Sequence, residues 1–323
     1  MKDYKMWVGG SWIDADSDET YTVFNPATEE AIARVPVGGK TDVARAVEAA
    51  RRAFPIWSKK TQAERSATVS RIAAALRERL EEFAQIEMTD HGAPITAARG
   101  MHVAESISHF EYAAQASRAL MGNAVTARPD TLTYIQREPV GVCALITPWN
   151  VPLLMVASKL GFALATGNTC VVKPPSIDSL STLKLAEILA DLDLPPGTVN
   201  IVTGPGGTVG KALATHPDVD KIGFTGSCET GKDIMGYASC SIKRVGLELG
   251  GKNPFIVLAD ADLDAAIDGG IFASFFNTGM ICASPGRYYI HEKLYDEFVE
   301  RFVAAAGSLI VGDPSDERTQ MGP

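Results

Sequence analysis

No run of Lys and Arg interrupts these 323 residues, and acidic side chains outnumber basic ones, 39 to 30, for a net charge of −9. A polyanion is held by clustered cations, so nucleic acid and an anionic membrane are not expected as partners. A bilayer-spanning stretch is also lacking: the apolar run Val151 to Ala165 is broken by Lys159 and Gly161. The opening residues Met1-Lys2-Asp3-Tyr4-Lys5 lead into no apolar signal-peptide core. Cysteine is sparse. The five positions, 143, 170, 228, 240 and 282, form no CxxC pair and are odd in number, which fits a reducing cytoplasm better than a disulfide framework. Histidines 91, 102, 109, 216 and 291 never fall at metal-ligand spacing, so no metal site is expected.

What is there has the usage of a globular protein, 46% hydrophobic and 21% charged. The length exceeds what one hydrophobic core serves, so two packed units are expected. Residues 7–13 and 21–26 read as short strands joined by turns. Thr41 is placed to cap a helix carrying Val43, Val47 and Ala50. Thr61 and Glu64 form a capping-box pair ahead of one long helix bearing Ile72, Leu76, Leu80 and Phe83. Another helical stretch covers roughly 98–120, and residues 123–138 alternate like a hairpin around Pro129-Asp130.

From residue 140 the rhythm changes. Apolar strands at 140–147, 169–172, 199–202 and 221–225 alternate with helices at 153–166, 180–192, 208–214 and 229–238. This order implies a parallel sheet with helices on both faces, with ligands bound where strands end and Gly and Pro collect. A second α/β stretch starts near Val245, with strands at 254–258 and 288–291 and helices at 262–278 and 292–306. Faces carrying Ile267, Phe272, Phe275, Tyr295, Phe298 and Phe302 are expected to lack partners, and the strand at 288–291 to leave an edge unpaired. Asp260, Asp262 and Asp264 lack the glycine and closing Glu of a Ca²⁺ loop, and read as caps for the helix that follows.

Three glycine-rich stretches compete for a phosphate-binding role. Gly204-Pro-Gly206-Gly-Thr-Val-Gly210 follows a strand and opens a helix, but no acidic residue sits at the expected distance. Gly226-Ser-Cys-Glu-Thr-Gly231-Lys232-Asp233 nearly matches a P-loop, but Asp233 has no hydroxyl for Mg²⁺, which argues against an NTPase. Gly250-Gly251-Lys252 joins two strands. Cys282 lies in Asn277-Thr-Gly-Met-Ile-Cys282-Ala-Ser-Pro-Gly-Arg287, a loop between a helix end and a strand, where a thiol can face a cleft and backbone N–H groups can receive an oxyanion. Cys143 and Cys170 lie inside apolar strands and read as core.

In collinear order, Phe24-Asn-Pro-Ala-Thr28, Pro148-Trp-Asn150, Lys173-Pro-Pro, Phe224-Thr-Gly-Ser227, Leu247-Glu-Leu-Gly-Gly-Lys-Asn-Pro254 and the Cys282 loop span the chain. Together they resemble the aldehyde dehydrogenase family, specifically its hydrolytic, non-acylating branch. The resemblance implies a small-molecule aldehyde as substrate. A Cys282 thiolate would attack it, the Asn150 amide and Cys282 N–H would hold the oxyanion, and Glu248 would activate the water that hydrolyses a thioester. It also implies NADP or NAD as cofactor. The dinucleotide would lie against Thr147, Pro148 and Trp149, with Lys173 at the adenosine ribose and Gly206 and Gly210 toward the adenine. Phe224, Thr225, Gly226, Ser227 and Gly231 would meet the pyrophosphate, and Leu249 the nicotinamide.

Ser176 stands where many NAD-preferring members carry Glu, and Met280 where Gln is common. A serine cannot repel a 2′-phosphate, so NADP⁺ use is compatible with this site. The implied fold is α/β: a Rossmann-like parallel-sheet cofactor domain over 1–246, whose hairpin at about 123–138 serves oligomer assembly, and an incomplete α/β catalytic domain over 247–323. Family members continue well past Met321-Gly-Pro323, through a Glu-x-Phe-Gly-Pro stretch near the nicotinamide ribose. A homo-oligomer is expected of the full-length family and is in question for this shorter chain. The alternative is a catalytically silent remnant that binds a nucleotide or a partner.

Overall fold

The computed structural model describes residues 1–323. Its centre is a seven-stranded sheet in the spatial order Arg244–Leu249, Lys221–Gly226, Val142–Ile146, Thr169–Lys173, Val199–Ile201, Met6–Val8, Ser11–Ile13. The first five run parallel, and Met6–Val8 joins antiparallel to Val199–Ile201. Strands at the centre are buried throughout because helices cover both faces. Alternate side chains separate the two cores: Cys143, Leu145, Cys170 and Val172 enter a cluster of 38 buried residues, and Val142, Ala144, Ile146 and Val171 one of 21. With both layers this large, the sheet is a dry interior on either side.

The order also creates a switch point. From Val142–Ile146 the chain adds strands in one direction through 169–173 and 199–201, then returns to the other side with 221–226 and 244–249. The crevice beyond the carboxyl ends of 142–146 and 221–226 is where open sheets of this kind take ligands. The helices that pack there follow the expected alternation: Pro152–Ala165, Leu180–Ala190, Lys211–Thr215 and Cys228–Ala238.

Two expectations need correction at the N-terminal side. The first helix, Lys40–Trp57, is capped by Gly39 and not Thr41, because the Asp42 carboxylate accepts the Gly39 N–H at 2.9 Å. The long helix after Thr61 is two, Gln62–Glu78 and Leu80–His91, interrupted at Arg79. Ala98–Val103 is a π-helical turn ahead of Ala104–Arg118. The Thr61–Glu64 box is present in both directions, at 3.2 and 2.7 Å. Ala31–Pro36, not anticipated, pairs with Thr20–Phe24 and Lys2–Asp3.

After Leu249 the chain leaves the large sheet. Asn253–Val257 and Pro285–Ile290 form a separate two-stranded parallel sheet, covered on one face by Leu263–Phe275 and Glu292–Gly307. Asp262 caps the first of these helices by accepting the Ala265 N–H at 3.2 Å. The core of this unit has only Val257, Ile267 and Phe298 as buried apolar side chains. Its other sheet face is open: Ile256, Leu258 and Tyr289 are 63%, 62% and 53% exposed, and Phe272 and Tyr295 are exposed too. The hairpin Asn123–Arg128/Thr131–Ile135 is exposed along its whole length. No helix is long and apolar enough to cross a membrane.

Candidate active site

Where the central strands end, the chain turns sharply and delivers short polar segments to one cleft of about 560 Å³. Strand 142–146 leads to Pro148, Trp149 and Asn150; strand 221–226 to Thr225, Gly226 and Ser227; strand 244–249 to Glu248 and Leu249. The parallel register sets Glu248 beside Thr225 and Leu249 beside Gly226. From the second sheet comes the loop with Met280 and Cys282. The three residues expected to do chemistry, Asn150, Glu248 and Cys282, therefore line a common space although they come from three separate stretches of chain.

The Cys282 loop is tied to Asn150 twice. The Asn150 amide donates to the Met280 carbonyl at 2.8 Å, and the Asn277 amide donates to the Asn150 carbonyl at 2.6 Å. Asn253 holds the far end, donating to the Cys282 and Ser284 carbonyls at 2.7 and 3.0 Å. Between these anchors, Asn277, Thr278 and Gly279 are left-handed, with φ of 51°, 57° and 77°. Glycine and asparagine tolerate that region, but a β-branched threonine there costs on the order of 1–3 kcal/mol. The anchors hold this turn in place.

Burial separates the five thiols. Burial pushes the Cys143 thiol up to about 12 and the Cys170 thiol well above its ordinary value, so both are inert. Cys282, Cys228 and Cys240 are exposed; Cys282 alone of the three opens on this cleft. Lys159 on helix 152–165, which carries no motif to single it out in the sequence, is half-buried. Burial lowers its pKa, and the Glu248 carboxylate opposes that shift.

The other predicted residues form a second group along the same sheet edge. The Thr147 N–H donates to the Lys173 carbonyl at 3.1 Å, aligning the ends of the two strands. Lys173 is buried, and its Nζ has one partner, the Pro174 carbonyl at 2.8 Å. With no counter-charge, burial pulls its pKa down to about 8. The Ser176 hydroxyl donates to the Gly204 carbonyl at 3.1 Å. Gly206–Gly210 is a π-turn, not the start of an ordinary helix, and a Cβ at Gly210 would lie 3.8 Å from the Lys173 side chain. Phe224 is core, set against Gly226; Ser227 caps helix 228–238; and Gly231 leaves room for Leu249, whose Cδ2 lies 2.9 Å from where a Cβ would sit. Trp149, Ser176 and Met280 border a neighbouring opening of about 590 Å³. Lys173, Gly206 and Gly210 thus lie beside one half of the sheet edge, and the Glu248–Cys282 cleft at the other.

Two observations bear on a dinucleotide at this edge. The buried Thr225 Oγ1 has no hydrogen-bond partner, and the Lys173 ammonium has one where it can make three. Donors left short on a strand-end crevice fit a ligand rich in hydroxyl and phosphate oxygens.

Residues 12–323 match the family model described as the aldehyde dehydrogenase family. The chain is 41% identical to cytosolic 10-formyltetrahydrofolate dehydrogenase of Mus musculus, over 99% of this chain and 36% of that protein. It superposes with a TM-score of 0.97 on the NAD⁺ complex of an aldehyde dehydrogenase from Bacillus cereus, at 39% identity over 99% of this chain and 66% of that one. It does so equally on an E. coli NADP-dependent enzyme, at 36% identity over 99% and 67%. The chain spans about a third of the mouse relative and about two thirds of these solved chains.

Proposed function

Because the chain belongs to the aldehyde dehydrogenase family, we propose that it oxidises a small aldehyde to a carboxylic acid through Cys282, with NAD⁺ or NADP⁺ as oxidant. The observation that carries this reading is the shared cleft of Asn150, Glu248 and Cys282. The Cys282 sulfur adds to the aldehyde carbonyl carbon, and the carbonyl oxygen takes the negative charge. One Asn150 amide hydrogen is engaged by Met280; the other, with the Cys282 N–H, receives that oxygen. When bound, the dinucleotide supplies the acceptor for the hydride. The acyl group then remains on Cys282 as a thioester. Glu248, exposed on the cleft, takes a proton from water as it attacks the thioester carbonyl, which frees the acid and restores the thiol.

For the cofactor, we assign Lys173, Ser176, Gly206 and Gly210 to the adenosine side, and Thr147, Pro148, Trp149, Thr225, Gly226, Ser227 and Leu249 to the pyrophosphate and nicotinamide side, with Phe224 and Gly231 supporting that edge from within the fold. Both NAD⁺ and NADP⁺ suit a site whose residue 176 is an uncharged serine. Each cofactor occurs among the solved relatives, NAD⁺ with the Bacillus cereus enzyme and NADP with the E. coli one. We divide the chain into a cofactor unit, 1–246, and the start of a catalytic unit, 247–323, and read the exposed hairpin as an assembly element. A free thiol nucleophile persists in a reducing compartment, and we place the reaction in the cytoplasm. Incubation with an aldehyde and NAD(P)⁺, followed by peptide mapping, tests the reading. An acyl adduct on Cys282 that accumulates in Glu248→Gln is expected; no adduct and no NAD(P)H would overturn it.

A further inference from the structure

Against the Cys282 loop, at the neighbouring opening bordered by Trp149 and Met280, lies a buried polar cluster that the mechanism does not use. His91, at the end of helix 80–91, has both ring nitrogens engaged: Nδ1 is 3.2 Å from Asp178 Oδ2, and Nε2 is 3.1 Å from Asn277 Oδ1. His91, Asp178 and Asn277 are each more than nine-tenths buried. They come from three distant parts of the chain, and only the last belongs to the Cys282 loop. From this juxtaposition we propose that His91, fixed by Asp178, is a positioning residue that orients Asn277 and so holds the Asn277–Cys282 loop against Asn150.

The hydrogen-bond chain has a direction. A backbone carbonyl only accepts, so the Asn277 end facing the Asn150 carbonyl is its NH₂. The end facing His91 is then the amide oxygen, and Nε2 must carry a proton to donate to it. Asp178 determines the other nitrogen. As a carboxylate it accepts from Nδ1–H of an imidazolium; as an acid it donates to bare Nδ1 of the neutral ring. In both arrangements the pair shares one proton and Nε2–H is present. Taking the shared proton away leaves the Nδ1 lone pair facing a carboxylate, and the ring no longer has a reason to keep its orientation.

No cation faces this pair. The Glu87 carboxylate lies behind it, bonded to His102 at 2.8 Å, and the His102 ring stands 5.5 Å from that of His91. Asp90, on the same helix, accepts the Leu180 N–H at 2.9 Å and stands near Asp178. Burial alone would lower the His91 pKa. The hydrogen bond and charge of Asp178, with help from Glu87 and Asn277, outweigh it and raise the value, while burial raises Asp178 as well. Both directions favour a retained proton.

The left-handed turn explains why a support is required. Asn277 and Thr278 hold positive φ, a conformation that persists only where the surroundings overdetermine it. The loop has Asn253 at its far end and Asn150 at its near end; His91 is what orients the near one.

The inference rests on Cys282 being the nucleophile, but its test needs neither cofactor nor aldehyde. In the full chain, hydrogen exchange of amides 277–282 reports the order of the loop, and mass-mapped alkylation of Cys282 relative to Cys228 and Cys240 reports the setting of the thiol. His91→Leu is expected to speed exchange at 277–282 by about tenfold or more, the usual loss when a charge-assisted buried hydrogen bond is removed, and to change the Cys282 alkylation ratio. His91→Gln, which places an NH₂ near the Nε2 position, should restore most of both. Asp178→Asn, donating to Nδ1, should keep the loop ordered. If His91→Leu does not fold, the Gln and Asn variants decide. Exchange left unchanged in His91→Leu, or lost to the same degree in Gln and Leu, or a loosened loop in Asp178→Asn, overturns the proposal. A loosened loop in His91→Leu with no acyl adduct on wild-type Cys282 would instead sink the functional reading, and with it the loop's part in catalysis, while the support of Asn277 by His91 holds.

Discussion

Asn150 and Asn277 are joined by a 2.6 Å hydrogen bond from the Asn277 side-chain amide to the Asn150 carbonyl. One residue follows a strand of the large sheet and the other opens the cysteine loop beside the small one, so this contact joins the two stretches that carry the proposed oxyanion donor and nucleophile. A second contact, Asn150 to the Met280 carbonyl, engages one hydrogen of the amide assigned to the oxyanion. Asn150→Ala is expected to remove both the donor and the anchor, lowering turnover by about 10²–10³-fold, as loss of an oxyanion donor does elsewhere. Steady-state kinetics check it; a change confined to KM would mean that Asn150 only binds.

Limiting iodoacetamide should modify Cys282 before the buried Cys143 and Cys170, whose thiols are held well up by burial. Peptide mapping reads the order. Modification of Cys228 or Cys240 with Cys282 untouched counts against a thiol poised for attack.

Glu248→Gln should release about one NAD(P)H per site and then stall, because the amide cannot take the proton from attacking water. A stopped-flow trace separates the burst from turnover. Unchanged steady-state rates would free Glu248 from the role.

Ser176→Glu should shift preference toward NAD⁺ by about tenfold or more, since a carboxylate repels a 2′-phosphate and accepts from a ribose hydroxyl. Titrating both cofactors against the variant measures the ratio. An unaltered ratio would mean that residue 176, now donating to Gly204, does not face the ribose.

Lys173 gives a pH signature. Its pKa is about 8 folded against 10.5 for the free side chain, so between those values the unfolded chain binds more protons and stability rises with pH. Below pH 8 the buried charge costs about 3 kcal/mol, because each tenfold loss of proton affinity is worth roughly 1.36 kcal/mol. Lys173→Met should therefore stabilise the chain at pH 7, with the advantage fading as pH passes 8 toward 10.5. Denaturant midpoints at pH 7 and 10 test it; a constant difference would mean that the ammonium is not desolvated.

Much of this architecture is legible in the residues themselves. The apolar alternation from residue 140 and the caps at Thr61 and Asp262 are local patterns, and the elements they mark begin within a few residues of where they are expected, although the helix after Thr61 breaks at Arg79. The cleft residues are legible because strand ends carry them in recognisable short stretches. What a local pattern does not reveal is non-local pairing. Ala31–Pro36 is a strand because Lys2–Asp3 and Thr20–Phe24 pair with it. The Gly39 cap depends on Asp42, three residues on, and not on the hydroxyl nearby. His91 and Asn277 are 186 positions apart, and no spacing rule joins them. The one local signal is Asn277-Thr-Gly, a sequence suited to a left-handed turn.

Glu248 is carried on the last strand of the large sheet, while Cys282 follows a helix of the small one, and only Gly250-Gly251-Lys252 connects Leu249 to Asn253 along the backbone. A Cβ at Gly250 would meet nothing within 4 Å, and at Gly251 only the Asn253 Oδ1 at 3.6 Å, so side-chain packing does not brace this connector. The spacing between Glu248 and Cys282 is thus set across two sheets, and the side-chain links Asn150–Met280 and Asn277–Asn150 brace what the connector does not. In the proposed mechanism, loosening those links would detune thioester hydrolysis while leaving every strand and every core residue in place.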